Sequence, residues 1–301
     1  MSEKILSHTH STTDTELDLE LIRQRIRVGG DKPHVSVDEQ LQVLDGLAQF
    51  ELGRFLLKNK GVNGYWTYYG ATYPNWKGAE QLSALETEIL SQLPLTLAVQ
   101  EKFKLFLQAN QSGVKSGACL ATIPSGVMGE LLCLDLSGVQ DIRLVAIDCD
   151  AETLQDAKQL AQQKTMQNWV ELQQQDAWDL QRENEFDLIS SNGLTIYEPS
   201  DERVVALYQE FYRALKPGGK LVTSFITPPP TPDSAGEWRM DLLNPEQLRR
   251  QRVIYSDVID ANWQCFRSSD LTKQLLQQAG FEDIEFFYDR AHLFPTVTAK
   301  K

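Results

Sequence analysis

The sequence predicts an α/β protein in which a helical N-terminal region precedes a seven-stranded, mostly parallel sheet with an antiparallel last strand. Three observations carry this expectation. Before residue 111, apolar residues recur at steps of three or four, as amphipathic helices require. From Ala118, short apolar runs alternate with helical patterns, which is the signature of parallel βαβ units. The chain then closes on two further strand-like runs, "IEFFYD" and "PTVTAK".

Residues 1–15 are Ser/Thr-rich and unpatterned, so they are expected to form a flexible tail, and His8 and His10 belong to that tail rather than to a metal site. A helical lid or cap region is expected over 16–111. Its first helix opens with Ser36 and Glu39 as a capping box and continues through Leu41, Leu44, Ala48, Leu52 and Phe55 to a stop at Gly61. Two more follow, one with Leu82, Leu85, Ile89 and Leu93, the next with Val99, Phe103, Phe106 and Leu107. The polar stretch "NQSGVKSG" marks the boundary to a second domain, 112–301.

In that domain "ACLATI" reads as strand one and Gly129 to Leu136 as its helix. "IRLVAID" is strand two, and Asp150 caps the helix after it. "VELQQQD" and "FDLISSN" are strands three and four. A helix from Ser200 carries Val204, Tyr208, Phe211 and Leu215 inward, and "KPGG" turns it into strand five, "KLVTSFI". A helical insert occupies about 232–266, then a Ser269-capped helix leads to the closing strands.

With 42% hydrophobic residues the 301-residue chain can bury a substantial core. Its formal charge of −13 argues against nucleic acid, whose binding depends on Lys and Arg releasing counterions. No stretch has the apolar run of a signal peptide or membrane span. Cys119, Cys133, Cys149 and Cys265 form no CxxC pair and read as small buried hydrophobes, so the expected location is cytoplasmic. No His/Cys/Asp set has metal-ligand spacing, and no GxSxG signature is present.

In an open parallel sheet, ligands lie across the carboxyl ends of the strands, near the point where strand order reverses. The polar residues worth attention all sit there. Gly126 opens the loop after strand one, and Asp148 closes strand two 22 positions later, the spacing of a carboxylate that receives both ribose hydroxyls. Asp176, with Ala177 and Trp178 beside it, closes strand three where a carboxylate can receive an adenine amine. Asn192 and Gly193 close strand four.

The order and spacing of these pieces resemble the class I S-adenosylmethionine-dependent methyltransferases from about Ala118 to Lys301. The resembling segments are "ATIPSGVMG", "LVAIDCDAETL", "QQDAWDL", "FDLISSNGL" and "ALKPGGKLVTS", with "LLQQAGFEDIEFF" and "PTVTAK" similar to that family's last helix and closing hairpin. The resemblance implies a Rossmann-like fold, S-adenosyl-L-methionine as cofactor, and binding by Thr122, Ile123, Pro124, Ser125, Gly126, Asp148, Cys149, Asp176, Ala177, Asn192 and Gly193. One departure is visible: the family usually carries an acid at the end of strand one to hold the methionine ammonium, and this chain has Thr122. Ser125, or carbonyls near Ile123, can receive the ammonium instead.

The implied reaction is N- or O-methylation of a small molecule. Tyr69 and Tyr197 are the candidate catalytic groups, able to orient or deprotonate a hydroxyl nucleophile. Tyr69 lies in "GYWTYYGATYPNW", Gly64 to Trp76, whose aromatics suit a pocket wall as well as plain packing. Arg249, Arg250 and Arg252 read either as a solvated basic helix face or as a grip for a carboxylate. Two other functions stay open. A catalytically silent S-adenosylmethionine-binding regulatory protein would fit the missing acid. An NAD-dependent oxidoreductase would share the loop and Asp148, but not the "LKPGGKL" turn and closing hairpin.

Overall fold

A computed structural model describes residues 17–73, 81–263 and 265–301. The expected N-terminal tail, and Pro74 to Trp76 of the aromatic stretch, lie outside the described residues. The chain forms two compact units: among the described residues, one holds 101–238 and 265–301, the other 17–100 and 239–263.

In the first unit seven strands form one sheet: β1 (Cys119–Thr122), β2 (Arg143–Asp148), β3 (Val170–Gln174), β4 (Phe186–Ser191), β5 (Leu215–Ser224), β6 (Glu282–Phe287) and β7 (Thr296–Lys300). Their order is β3-β2-β1-β4-β5-β7-β6. All neighbours are parallel except β7, which runs antiparallel to both β5 and β6. The side-chain alternation of a strand divides the core in two. Cys119 and Ala121 of β1 face one cluster with Val204, Tyr208 and Phe211 of α9 (Asp201–Ala214) and Leu275 and Leu276 of α11 (Ser269–Gln278). Leu120 faces the other, with Phe106, Leu131, Leu154 and Ala157. These belong to the long α6 (Pro94–Gln111), the single-turn α7 (Gly129–Leu132) and α8 (Ala151–Gln163).

Local chemistry accounts for most of the boundaries. Ser200 and Asp150 cap α9 and α8, accepting the backbone N–H groups of Arg203 and Glu152. The helix after β1 is shorter than expected, ending at Leu132. α11 is capped by Ser268 rather than Ser269, its hydroxyl accepting the Leu271 N–H.

The second unit is helical: α1 (Leu19–Gly29), α2 (Val37–Leu47), α3 (Glu51–Asn59), α4 (Gly64–Thr72), α5 (Ala84–Ser91), the first turns of α6, α10 (Pro245–Arg252) and a π-helical segment, Val253–Ile259. The single helix expected from Ser36 to Gly61 is two, because buried Phe50 takes an extended backbone. Gly53 permits the tight corner: a Cβ there would lie 2.0 Å from the Leu47 carbonyl oxygen.

Phe106 stands fully buried on α6 against the sheet, one turn from Lys102 and one from Asn110. Truncating it removes a ring packed within the core cluster of α6, α7 and α8. Phe106→Ala is expected to lower unfolding free energy by about 3–5 kcal/mol, measured by urea denaturation.

Candidate functional site

The chain runs outward from β1 to β3 and then returns to place β4 on the other side of β1, so strand order reverses between β1 and β4. Thr122 ends β1, in register with Ala146 of β2 and Ser190 of β4. The loop after β1 is pinned from both neighbours: Ile123 N–H donates to the Ser190 carbonyl at 2.9 Å and Ser125 N–H to the Ile147 carbonyl at 2.8 Å. The Ile123–Pro124 peptide is cis, and Gly126 adopts a positive φ of 47°. Ser125 is buried and its hydroxyl donates to the Gly126 carbonyl at 3.0 Å.

Asp148 sits at the end of β2 with one carboxylate oxygen accepting the Gly126 N–H at 3.2 Å and the other the Asp150 N–H at 3.1 Å. Burial raises its pKa to about 6, helped by the charge of Asp150 and opposed by the amides of Asp150, Gly126 and Ser125. The Cys149 thiol is pushed up to about 12, first by burial and then by the charges of Asp148, Asp176 and Asp150. The turn after β3 is tied to this one: the Gln175 N–H donates to the Asp148 carbonyl at 3.0 Å.

Asp176 accepts the Trp178 N–H at 3.0 Å. Ala177 is buried within the core cluster beneath α9. Trp178 donates its indole N–H to the Arg203 carbonyl at 2.9 Å and lies under the Arg203 guanidinium, 5.0 Å from the ring centre. Beyond β4, the Ser224 hydroxyl accepts the Gly193 N–H at 3.2 Å and approaches the Asn192 side-chain oxygen at 3.4 Å. Tyr197 follows in a short 3-10 turn and is half-buried. Buried Arg267 ties this segment down, donating to the carbonyls of Thr195 and Glu198 at 2.9 and 2.6 Å and to the Asp201 carboxylate at 2.8 Å.

Three residues that sequence reasoning missed gather behind Thr122. Glu130, on α7, is 7% exposed, and one of its carboxylate oxygens accepts the Thr122 hydroxyl at 3.4 Å. Lys102, on α6, is 3% exposed, with its ammonium 4.5 Å from the centre of the Phe294 ring. Burial raises Glu130 to about 7 against the nearby Lys102 charge. Burial also lowers Lys102 to about 8 against Glu130 and Asp289. Asn110 is fully buried and donates its amide to the Ser190 hydroxyl at 3.1 Å and to the Glu130 carbonyl at 3.4 Å, while its side-chain oxygen has no partner. Buried Ser191, at the end of β4, likewise has a hydroxyl without a partner. A signal was present: Lys102 and Asn110 fall at i−4 and i+4 from Phe106, polar residues on the inward stripe of α6.

Tyr69 lies in the helical unit, on α4. Its hydroxyl donates to Glu86 at 3.1 Å, and its ring meets Trp66 edge-on at 5.0 Å between centres. Burial and the Glu86 charge raise its pKa well above the ordinary tyrosine value, so it is a hydrogen-bond donor and a poor base at neutral pH. Arg249 and Arg250 are neither a solvated face nor an anion grip: they pair with Glu39 at 3.0 and 3.2 Å, and Arg250 with Glu88 at 2.9 Å. Among the described residues no group of His, Cys, Asp and Glu is arranged to hold a metal ion, and no helix is long and apolar enough to cross a membrane.

Residues 126–219 match the methyltransferase domain family. A comparison with curated proteins returned no match. Among solved structures, a possible exported protein from Bordetella parapertussis is 43% identical over 94% of each chain, with a TM-score of 0.89. The S-adenosylmethionine-dependent methyltransferase SibL, in its apo form, is 15% identical over 88% of this chain and 75% of its own, with a TM-score of 0.53. A candidate O-methyltransferase from Nostoc punctiforme is 13% identical over 82% of this chain and 69% of its own, with a TM-score of 0.51. The last two share the fold alone.

Replacing Arg267 with Met strands two buried carbonyls and the Asp201 carboxylate. Arg267→Met is expected to cost about 1–3 kcal/mol in a denaturant melt. It should also speed amide hydrogen exchange at Tyr197 and Glu198 more than in β1.

Proposed function

We propose that this chain, which belongs to the class I S-adenosylmethionine-dependent methyltransferases, transfers the methyl group of that cofactor to the nitrogen or oxygen of a small molecule. The observation that carries the reading is the position of Asp148, whose carboxylate joins the loop after β1 to the turn after β2 at the point where strand order reverses.

The donor set suits the cofactor. Gly126 and Asp150 donate to different Asp148 oxygens, so acceptor capacity remains on the carboxylate for a sugar hydroxyl. The unpartnered side-chain atoms of Asn110 and Ser191 are buried polar groups of the kind a ligand satisfies. In this reading Asp148 holds the ribose and Asp176 the adenine amine. The loop from Thr122 to Gly126, with Cys149, Ala177, Asn192 and Gly193, lines the remainder. S-adenosylmethionine supplies a sulfonium methyl that is already electrophilic, so the residues of the chain need chiefly to align an acceptor and exclude water. Tyr197, next to the end of β4, is better placed in sequence than Tyr69 to orient an acceptor hydroxyl, and Tyr69 serves its own unit as a donor to Glu86.

A small-molecule acceptor is favoured by the charge of −13, which repels phosphate-rich substrates. A cytoplasmic location is favoured by the four cysteines, none of which forms a disulfide.

Calorimetric titration with S-adenosylmethionine tests the cofactor site. Sugar hydroxyls donate to the ionised carboxylate, and the free protein's Asp148 titrates at about 6. The contribution of Asp148 to affinity should therefore be complete above that pH and fall by up to about tenfold per unit below it. Asp148→Asn should weaken binding by about 10–100-fold and flatten the pH profile. Affinity that is independent of pH and unchanged in the variant would remove Asp148 from the site. Transfer of labelled methyl to RNA, but to no amine or phenol of a small-molecule panel, would overturn the acceptor class.

A further inference from the structure

We propose that Glu130 and Lys102 grip the zwitterionic amino-acid end of the methyl donor, Glu130 receiving its ammonium and Lys102 its carboxylate. This rests on the cofactor reading above and goes beyond it by moving the charge-reading role from the end of β1 to two helices.

Two buried groups of opposite charge lie close enough to influence each other, yet neither makes a close ion pair among the described residues. Burying an ion without a partner costs several kcal/mol, so such groups persist where something else completes them. Among the described residues Glu130 has its own backbone amide and the Thr122 hydroxyl at 3.4 Å, the latter a long and weak bond. Among the described residues the Lys102 ammonium lies against the face of Phe294. The third nearby charge, Asp289, is committed elsewhere: its carboxylate accepts the N–H groups of Ala291, Leu293 and Phe294 at 3.1, 3.2 and 2.7 Å. One anion and one cation are thus left for a ligand that carries both signs.

Their position fits. Thr122 is the last residue of β1, where the resembling family usually carries an acid and this strand has none. Glu130 meets the Thr122 side chain, so the missing charge is delivered to the same spot from α7. The Asn110 side chain, bonded to the Glu130 carbonyl and to Ser190 across the strand boundary, adds a fully buried acceptor that lacks a donor. An ammonium group has three N–H donors to give, and Glu130 with Asn110 offers acceptors for them.

The test uses three thioether nucleosides that differ only at this end, titrated calorimetrically into the full chain. S-adenosylhomocysteine carries both charges, S-adenosyl-3-thiopropylamine lacks the carboxylate, and 5′-methylthioadenosine lacks both. The wild-type protein should bind them in that order, each step about tenfold or more weaker. Lys102→Met should weaken S-adenosylhomocysteine by about tenfold or more and leave the amine unchanged. Glu130→Gln should weaken both charged ligands and spare 5′-methylthioadenosine. Equal wild-type affinity for the first and third compounds overturns the proposal without any variant, and leaves the cofactor reading standing. Equal loss of all three ligands in both variants also overturns it, by showing a purely structural role. Binding of none of them to the wild type would overturn the cofactor reading and this inference together.

Discussion

One buried carboxylate ties together the turns at the carboxyl edge of the sheet. Asp148 holds the Gly126 N–H with one oxygen and the Asp150 N–H with the other, so the turns after β1 and β2 cannot move apart. The arrangement is costly, because burial disfavours the charged form, and the amides only partly offset that cost. Parallel register does the rest. With Thr122 level with Ala146 and Ser190, the strand ends form a single rim rather than a staggered edge.

That rim was legible in the sequence, and the reason is local. Strand ends are announced by period-two apolar runs that stop at Asp, Asn and Gly, so Asp148, Asp176, Asn192 and Gly193 could be placed before any coordinates. Helix starts at Ser36, Asp150 and Ser200 were legible because an N-cap acts on amides two or three residues away. Where an element's limit is set by tertiary contact, the sequence misled. The corner between α2 and α3 depends on Phe50 being buried and on Gly53 approaching Leu47, and the helical pattern runs through it unbroken. α1 passed unnoticed because it offers the core little more than Ile26.

The same distinction explains the misread charges. Arg249 and Arg250 look like a solvated basic face, since their partners Glu39 and Glu88 come from α2 and α5, more than 150 positions earlier. Half-buried bidentate pairs of this kind hold α10 against its own helical unit and use the charge that a free anion would need. Glu130 has the appearance of an ordinary first-turn acid, and Lys102 that of a stray polar residue in an apolar stripe. Their meaning lies in being buried together, which no spacing rule encodes.

A carboxylate on β1 itself would be held rigidly by the strand, whereas one on α7 depends on how that single turn packs. The surroundings supply the rigidity. Met128, fully buried, occupies the left-handed region at φ 60° immediately before α7, and Leu131 and Leu132 anchor the turn in the core. Asn110 also reaches the Glu130 main chain from α6, at 3.4 Å. The stabilities of the free and loaded states then pull in opposite directions. Well-packed apolar residues in place of a buried ion pair often make a protein more stable. In the proposed site, the bound state recovers what the free state gives up by keeping Glu130 and Lys102. On this argument the part of the rim whose buried charges have the fewest partners is the part that discriminates most sharply among ligands, since unpaired buried groups penalise any molecule unable to complete them.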